Sequence, residues 1–121
     1  MEELGTFKTR AIEKSASKSR LVIKDIETED ALALTSGVVV RYGEDMNLGG
    51  FITIDYGDGY EVTYSPVTSV HVKLAEKVLG GQPVAGVMAF LRLDFKCNGD
   101  AVDPTQWLRH LALNAKANEM D

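Results

Sequence analysis

Two histidines and one cysteine are the only imidazole and thiol side chains in 121 residues. A zinc site needs three or four His, Cys or carboxylate ligands converging on one point. His71 and His110 form no pair at ligand spacing, and the alternation around His71 and the polar helix face around His110 predict solvent-facing side chains. A single thiol, Cys97, excludes an internal disulfide. That absence fits a cytosolic chain, but also the many exported bacterial proteins without disulfides. Cys97 has no histidine near it in sequence, which favours a structural thiol over a nucleophile. Basic excess is missing too: the net charge is −5 and the pI about 5.0, which excludes a nucleic-acid binder held by phosphate contacts. No apolar stretch approaches the ~18 residues of a membrane span. The start, MEELGTFKTRAIEK, lacks an apolar core and predicts no signal peptide. There is no G-x-S-x-G elbow, phosphate loop, dinucleotide fingerprint or calcium loop.

What is present is a chain of one-domain length, 45% hydrophobic, able to bury about two-thirds of its unfolded surface. Residues 1–19 read as a polar arm with a short strand near Thr6–Ile12, and RLVIKDIE (Arg20–Glu27) reads as a strand. Alternation resumes at Ala31, Ala33 and Val38–Val40, with Gly37 as a bulge or tight turn, and Glu44–Gly50 reads as a loop. Phe51–Tyr56 and Tyr60–Tyr64 alternate about Gly57-Asp58-Gly59 and predict a hairpin. Two short strands flank Gly80-Gly81. Phe90–Val102 sets Leu91, Leu93 and Phe95 against Arg92, Asp94 and Lys96, then turns at Asn98-Gly99. Asp103-Pro104 supplies a cap and a first helical residue, and Trp107, Leu108, Leu111, Ala112 and Ala115 share one helix face. The expected fold is mostly β: a compact antiparallel sheet or barrel-like domain over residues 20–117, ending in one helix at 104–117.

Other candidate chemistry has ordinary explanations. Asp58 suits turn chemistry, and Asp55 and Asp94 take outward strand positions. Tyr56, Tyr60 and Tyr64 suggest cross-strand aromatic packing, with a carbohydrate-stacking platform as the sharper alternative. Lys14, Lys18, Arg20 and Lys24 suggest a solvated basic arm, with anionic-polymer binding as its alternative.

Four stretches in order carry a family resemblance: SGVVVRYG, GGFITIDYGDGYEVTYSPV, VKLAEKVLGGQPVAG and FLRLDFKCNGDAVDPTQWL. Together, over about residues 20–108, they resemble the LytM-type (lysostaphin-like) zinc endopeptidases of bacterial cell walls. The resemblance implies that family's β fold, the duplicated hybrid motif. The family's Y-x-H-L histidine falls on Pro66, after Tyr64, and the H-G of the first hairpin strand falls on Tyr56-Gly57. The two histidines of H-L-H fall on Phe90 and Arg92, and the H-x-x-x-D zinc ligands on Lys18 and Val22. Every metal and catalytic position is thus replaced, two of them by cations. Only Gly86–Ala89 separates Ala85 from Phe90, where the family has a long groove-walling loop.

The resemblance therefore implies a catalytically inactive LytM-like domain with no metal and no cofactor. Inactive members resemble regulators, and the short loop and lost ligands look most like the sporulation group, of the stage IV sporulation protein FA type. The implied role is a protein-interaction or regulatory module of the bacterial cell envelope or of sporulation, extracytoplasmic if the domain is excised from a longer chain. Its expected partner is a protein, with peptidoglycan as a further ligand the family allows and membrane attachment only through segments outside this chain. The expected interaction residues are Lys18, Val22, Tyr64, Pro66, Phe90 and Arg92; the alternative is that Val22, Pro66 and Phe90 fill the former metal position as core, Phe90 first among them. Two alternatives stay open: a hydrolase with an unorthodox site, and a biotinyl/lipoyl-like carrier barrel. The carrier reading shares the pattern at Val72–Val84 but lacks a lysine at either hairpin tip.

Overall fold

The computed structural model describes residues 9–14, 18–26 and 30–111, with side chains from residue 18 apart from those of 24–26. Alternating β-branched and aromatic residues build eleven strands within that span. They are β1 (Thr9–Lys14), β2 (Arg20–Ile26), β3 (Asp30–Leu32), β4 (Gly37–Asp45), β5 (Gly49–Gly57) and β6 (Tyr60–Ser65). After them come β7 (Ser69–Val70), β8 (Lys77–Val78), β9 (Pro83–Gly86), β10 (Phe90–Cys97) and β11 (Asp100–Ala101). One sheet runs β1-β2-β10-β6-β5-β4-β8 with β11 added to β10, and a smaller one runs β3-β9-β7. Every pairing is antiparallel.

Period-two alternation gives the large sheet two different faces. Leu21, Ile23, Val39, Ile52, Ile54, Val62, Tyr64, Leu91, Leu93 and Phe95 point inward and are buried. They pack with Ala31, Val84, Ala85 and Val87 of the small-sheet region into one core. The opposite face of β2, β10, β6 and β5 presents Arg20 and Val22, Arg92 and Asp94, Thr63 and Ser65, and Thr53 in cross-strand register. This polar face carries the candidate site.

Both two-residue turns form at the predicted positions. Asp58-Gly59 joins Gly57 to Tyr60 with φ of 53° and 83°, and Asn98-Gly99 joins Cys97 to Asp100 with φ of 52° and 88°. Two successive positive φ values are what a type I′ hairpin requires, and Asx-Gly supplies them at least steric cost. The two tips meet, with Asn98 N–H donating to Gly59 O at 2.9 Å. The helix α1 (residues 105–111) starts as expected: Asp103 Oδ1 accepts from the Thr105 amide at 2.9 Å, and Pro104 occupies the first turn. The expected continuation to 117 lies outside the described residues, as do Thr6, Phe7 and Lys8 of the first predicted strand.

Two expectations are corrected. The loop over Glu44–Gly50 shrinks to residues 46–48, because β4 and β5 keep pairing as far as Asp45 and Gly49. The irregularity near Gly37 is not there: the register shift falls between Val39 and Arg41. Gly37 is instead a packing position, where a Cβ would lie 2.7 Å from Asp55 O and 2.8 Å from the Tyr56 ring. Of the two readings of the N-terminal stretch, arm or extra strand, the described residues form the strand: Thr9–Lys14 pairs with β2, and Arg20 sits in the sheet.

Candidate functional site

The polar face is organised by rungs. On one rung Arg20, Asp94 and Thr63 lie side by side; on the next lie Val22, Arg92 and Ser65. Arg20 grips Asp94 with Nε to Oδ1 at 2.7 Å and Nη2 to Oδ2 at 3.3 Å, a planar two-point pair. Thr53 and Thr63 hydroxyls bond across the strands at 2.7 Å, and Arg41 pairs with Glu61 at the face's other side. Beside the Arg20 rung lies a shallow cleft of about 270 Å³, bordered by Leu48, Thr63, Asp94 and Lys96.

The β4–β5 hairpin tip folds onto the second rung. Arg92 Nη2 donates to Leu48 O at 3.1 Å, and the backbone beside Gly49 comes close to Pro66. Val67 N–H donates to Gly50 O at 2.9 Å, which ties the residue after Pro66 to the hairpin base. Arg92 Cζ lies 5.9 Å from the Phe90 ring centroid, within cation–π range. The same rung carries two buried polar atoms without a hydrogen-bond partner, Ser65 Oγ and Arg92 Nε. Leaving a buried polar group unpaired costs about 1–3 kcal/mol, so two on one rung call for a physical reason.

Of the six expected residues, the structure brings four together: Val22, Pro66, Phe90 and Arg92. Tyr64 is corrected. It faces the core at 0% exposure, one residue out of phase with the groove. Lys18 is corrected too. It is exposed in the turn before β2, with the Arg20–Asp94 rung between it and Arg92. Phe90 does not refill the vacated position as core, since it is 40% exposed. Ser65 and Leu48 complete the site and were missed. Ser65 was hidden between two more conspicuous residues, Tyr64 and Pro66, and Leu48 sat in an assumed loop. Asp94 takes the outward strand position that alternation predicts, and its partner Arg20 lies 74 residues away, beyond the reach of a local pattern.

The remaining candidates have structural roles. Tyr56 and Tyr64 hydroxyls bond each other, and Tyr56 also accepts from the Leu34 amide at 2.9 Å. Burial pushes both phenols well above the ordinary tyrosine range, and for Tyr64 the neighbouring Tyr56 adds to it. Tyr60 stacks on Trp107 with centroids 5.1 Å apart. A carbohydrate platform of three tyrosines is therefore overturned: two point inward and the third carries the helix. His71 is exposed and bonds Asp30 at 3.1 Å, and His110 is exposed on α1.

Among the described residues no group of three or more His, Cys, Asp or Glu side chains could hold a metal ion. Hydrocarbon, hydroxyl and guanidinium groups at the Val22–Arg92–Ser65 rung do not fit the donor set that zinc uses. No helix of the described residues is long and apolar enough to cross a membrane.

The fold has solved counterparts. Lysostaphin from Staphylococcus simulans superposes with a TM-score of 0.66 at 20% identity, over 89% of this chain and 51% of that one. Helicobacter pylori Csd3 gives 0.69 at 16% identity, over 84% and 31%. A chain of the SpoIIQ–SpoIIIAH pore-forming complex gives 0.60 at 19% identity, over 78% and 69%. This chain thus spans about half of lysostaphin and a third of Csd3. No curated protein matches it in sequence. The profile of peptidase family M23 matches residues 20–104, well over half of the chain, and its first matched residue opens β2 while its last enters α1: the chain belongs to peptidase family M23.

Proposed function

We propose that this domain is a non-hydrolytic M23 fold whose groove face binds a protein partner in the bacterial cell envelope, as an interaction or regulatory module. One observation carries the reading. The rung that holds the family's metal and catalytic positions by resemblance contains Val22 and Arg92, with Pro66 next to Ser65 at its end and Phe90 two residues along β10. A fixed guanidinium repels a divalent cation and cannot be exchanged for neutral imidazole. Exposed Phe90 and Met88 beside a charged rung are the composition of a protein contact rather than of a water-activating centre. The fold likeness to a SpoIIQ–SpoIIIAH pore-forming complex supports assembly as a use of this scaffold, and the family's cell-wall members support an envelope location.

The test is direct. The purified chain is incubated with equimolar zinc and with isolated peptidoglycan, and bound metal and released fragments are measured. The expected result is no stoichiometric zinc and no release above buffer. One zinc per chain together with cleavage would overturn the reading and restore a peptidase.

A further inference from the structure

The two orphaned atoms belong to neighbouring residues. Arg92 and Ser65 are direct cross-strand neighbours on the groove face, and both Ser65 Oγ and Arg92 Nε are buried without a partner. Ser65 is 0% exposed. Arg92 is held only loosely, by one bond from Nη2 to the Leu48 carbonyl. Its neighbour Arg20 is already committed to Asp94 through two bonds. The rung therefore offers one uncommitted guanidinium edge and one hydroxyl, both without a protein acceptor.

We propose that Arg92 and Ser65 form a receptor for a single carboxylate, supplied by an acidic side chain of an extended polypeptide partner. This deepens the interaction reading above and rests on it. A guanidinium edge matches a planar carboxylate with two parallel N–H···O bonds, and the serine hydroxyl adds a third donor. Binding trades the single Leu48 bond for a two-point fork and gives both orphaned atoms a partner. The charge count favours a monoanion, since Arg20 and Asp94 neutralise each other one rung away. Val22, Phe90 and Pro66 frame the spot with hydrocarbon, which suits a carboxylate carried on an otherwise apolar segment. Phe90 lies two residues from Arg92 on β10, about 7 Å along the strand. A segment lying along β10 places an apolar residue on Phe90 when that residue is two positions from its acid. For a segment running parallel to β10 the recognised pattern is thus an apolar residue, any residue, then Asp or Glu, and for an antiparallel one the reverse.

The experiment follows the arginine Nε–H resonances of the ¹⁵N-labelled 121-residue chain, with the Arg92 signal assigned by its loss in Arg92→Lys. The probe is an N-acetylated, C-amidated hexapeptide, Ser-Leu-Thr-Glu-Thr-Ser, compared with its glutamine twin and with a twin carrying serine in place of leucine. The glutamate peptide is expected to move the Arg92 Nε–H signal saturably. The glutamine twin should bind about tenfold or more weakly, and affinity should fall as salt rises. Ser65→Ala should weaken binding by roughly 3- to 10-fold, and Arg92→Lys, which keeps the charge but loses the fork, should abolish it. No movement of the Arg92 signal, or equal response to the glutamine twin, overturns the receptor. A response to a peptidoglycan stem-peptide fragment but not to the glutamate peptide also overturns it and assigns the groove to cell wall. The glutamate–glutamine contrast on the unaltered chain decides the matter even if a variant fails to fold. Zinc binding with cleavage removes the interaction reading itself; a silent Arg92 in a zinc-free, non-cleaving domain removes only this proposal.

Discussion

At Gly50 one hydrogen atom decides the packing. A Cβ there would overlap the Val67 carbonyl oxygen, which is backbone and cannot swing aside. Gly81 makes the opposite case: nothing lies within 4 Å of its would-be Cβ, but its φ of 84° strains any L side chain. Gly81→Ala should cost about 1 kcal/mol, and Gly50→Ala about 2–3 kcal/mol because the β5 base and the Val67 backbone after β6 must separate. Urea midpoints of the two variants test the order, and a Gly81→Ala loss equal to or larger than Gly50→Ala would contradict it. The buried tyrosines give a second residue-scale case. Tyr64→Phe removes one hydroxyl whose partner, Tyr56, still bonds Leu34. Tyr56→Phe strands both the Leu34 amide and the Tyr64 hydroxyl. The second should be the more damaging, about 2–3 against about 1 kcal/mol. The same pair sets a limit in base. Folded-state pKa values raised by burial mean that the unfolded chain ionises first as pH climbs. Stability is therefore full below about pH 10, the ordinary tyrosine value, and is lost progressively above it. Tyrosinate absorbance from Tyr56 and Tyr64 should rise only as the β-sheet circular dichroism is lost. Their ionisation in a still-folded domain would show that burial does not hold them.

Element by element, what could be read in the sequence was local. Asp58-Gly59 and Asn98-Gly99 fix their turns through the φ values of two residues, so both hairpins were legible. Asp103-Pro104 likewise announced α1. The pairing of β3 with β9 depends on a partner about fifty residues further along the chain, which no local pattern encodes, whereas the shift near Val40 and the pairing of Thr9–Lys14 with β2 lie within neighbouring strands and turn on register, which alternation alone does not set. The candidate site failed for the same reason: alternation placed Arg92 and Asp94 on one face of β10, but Arg20, Ser65 and Leu48 reach them only through tertiary pairing. The family resemblance supplied what local pattern could not, by bringing Val22, Pro66, Phe90 and Arg92 into one list before the fold was known. It did not bring Lys18 to the rung, because Lys18 lies in the turn before β2 with the Arg20–Asp94 rung between it and Arg92. The helix tests how an element is attached. Trp107 lies 5.1 Å from Tyr60, 5.6 Å from Tyr56 and 6.0 Å from Phe95 by ring centroid, so α1 is held to the β5–β6 hairpin by aromatic contact. Trp107→Ala should cost about 2–3 kcal/mol, below the range for a fully buried tryptophan because Trp107 is only half-buried. Thermal unfolding checks this; a midpoint unchanged within a degree would mean that the helix is a passenger.

For the molecule as a whole, the question is whether a metal or side-chain pairing organises the groove face. In a metal-built site the ion is part of the folding free energy, and removing it loosens the strands that carry the ligands. Here the strands meet through Arg20–Asp94, Thr53–Thr63 and Arg41–Glu61, and the hairpin tip is tied by Arg92 to Leu48. These contacts are complete within the polypeptide. The hydrophobic face beneath them is one continuous core that reaches the small sheet, so the groove floor needs no ligand to stay flat. Linkage makes the consequence measurable, because any ion that binds only the folded form raises stability by RT ln(1 + [L]/Kd), about 2.7 kcal/mol at 100 Kd. The melting temperature should therefore be the same in excess chelator as in buffer with equimolar zinc. A rise of several degrees with zinc, reversed by chelator, would mean that ligands do converge on this face and that the sheet is organised by an ion after all. An unchanged melting temperature would leave side-chain pairing across β2, β10, β6 and β5 as the force that holds the groove open to a partner.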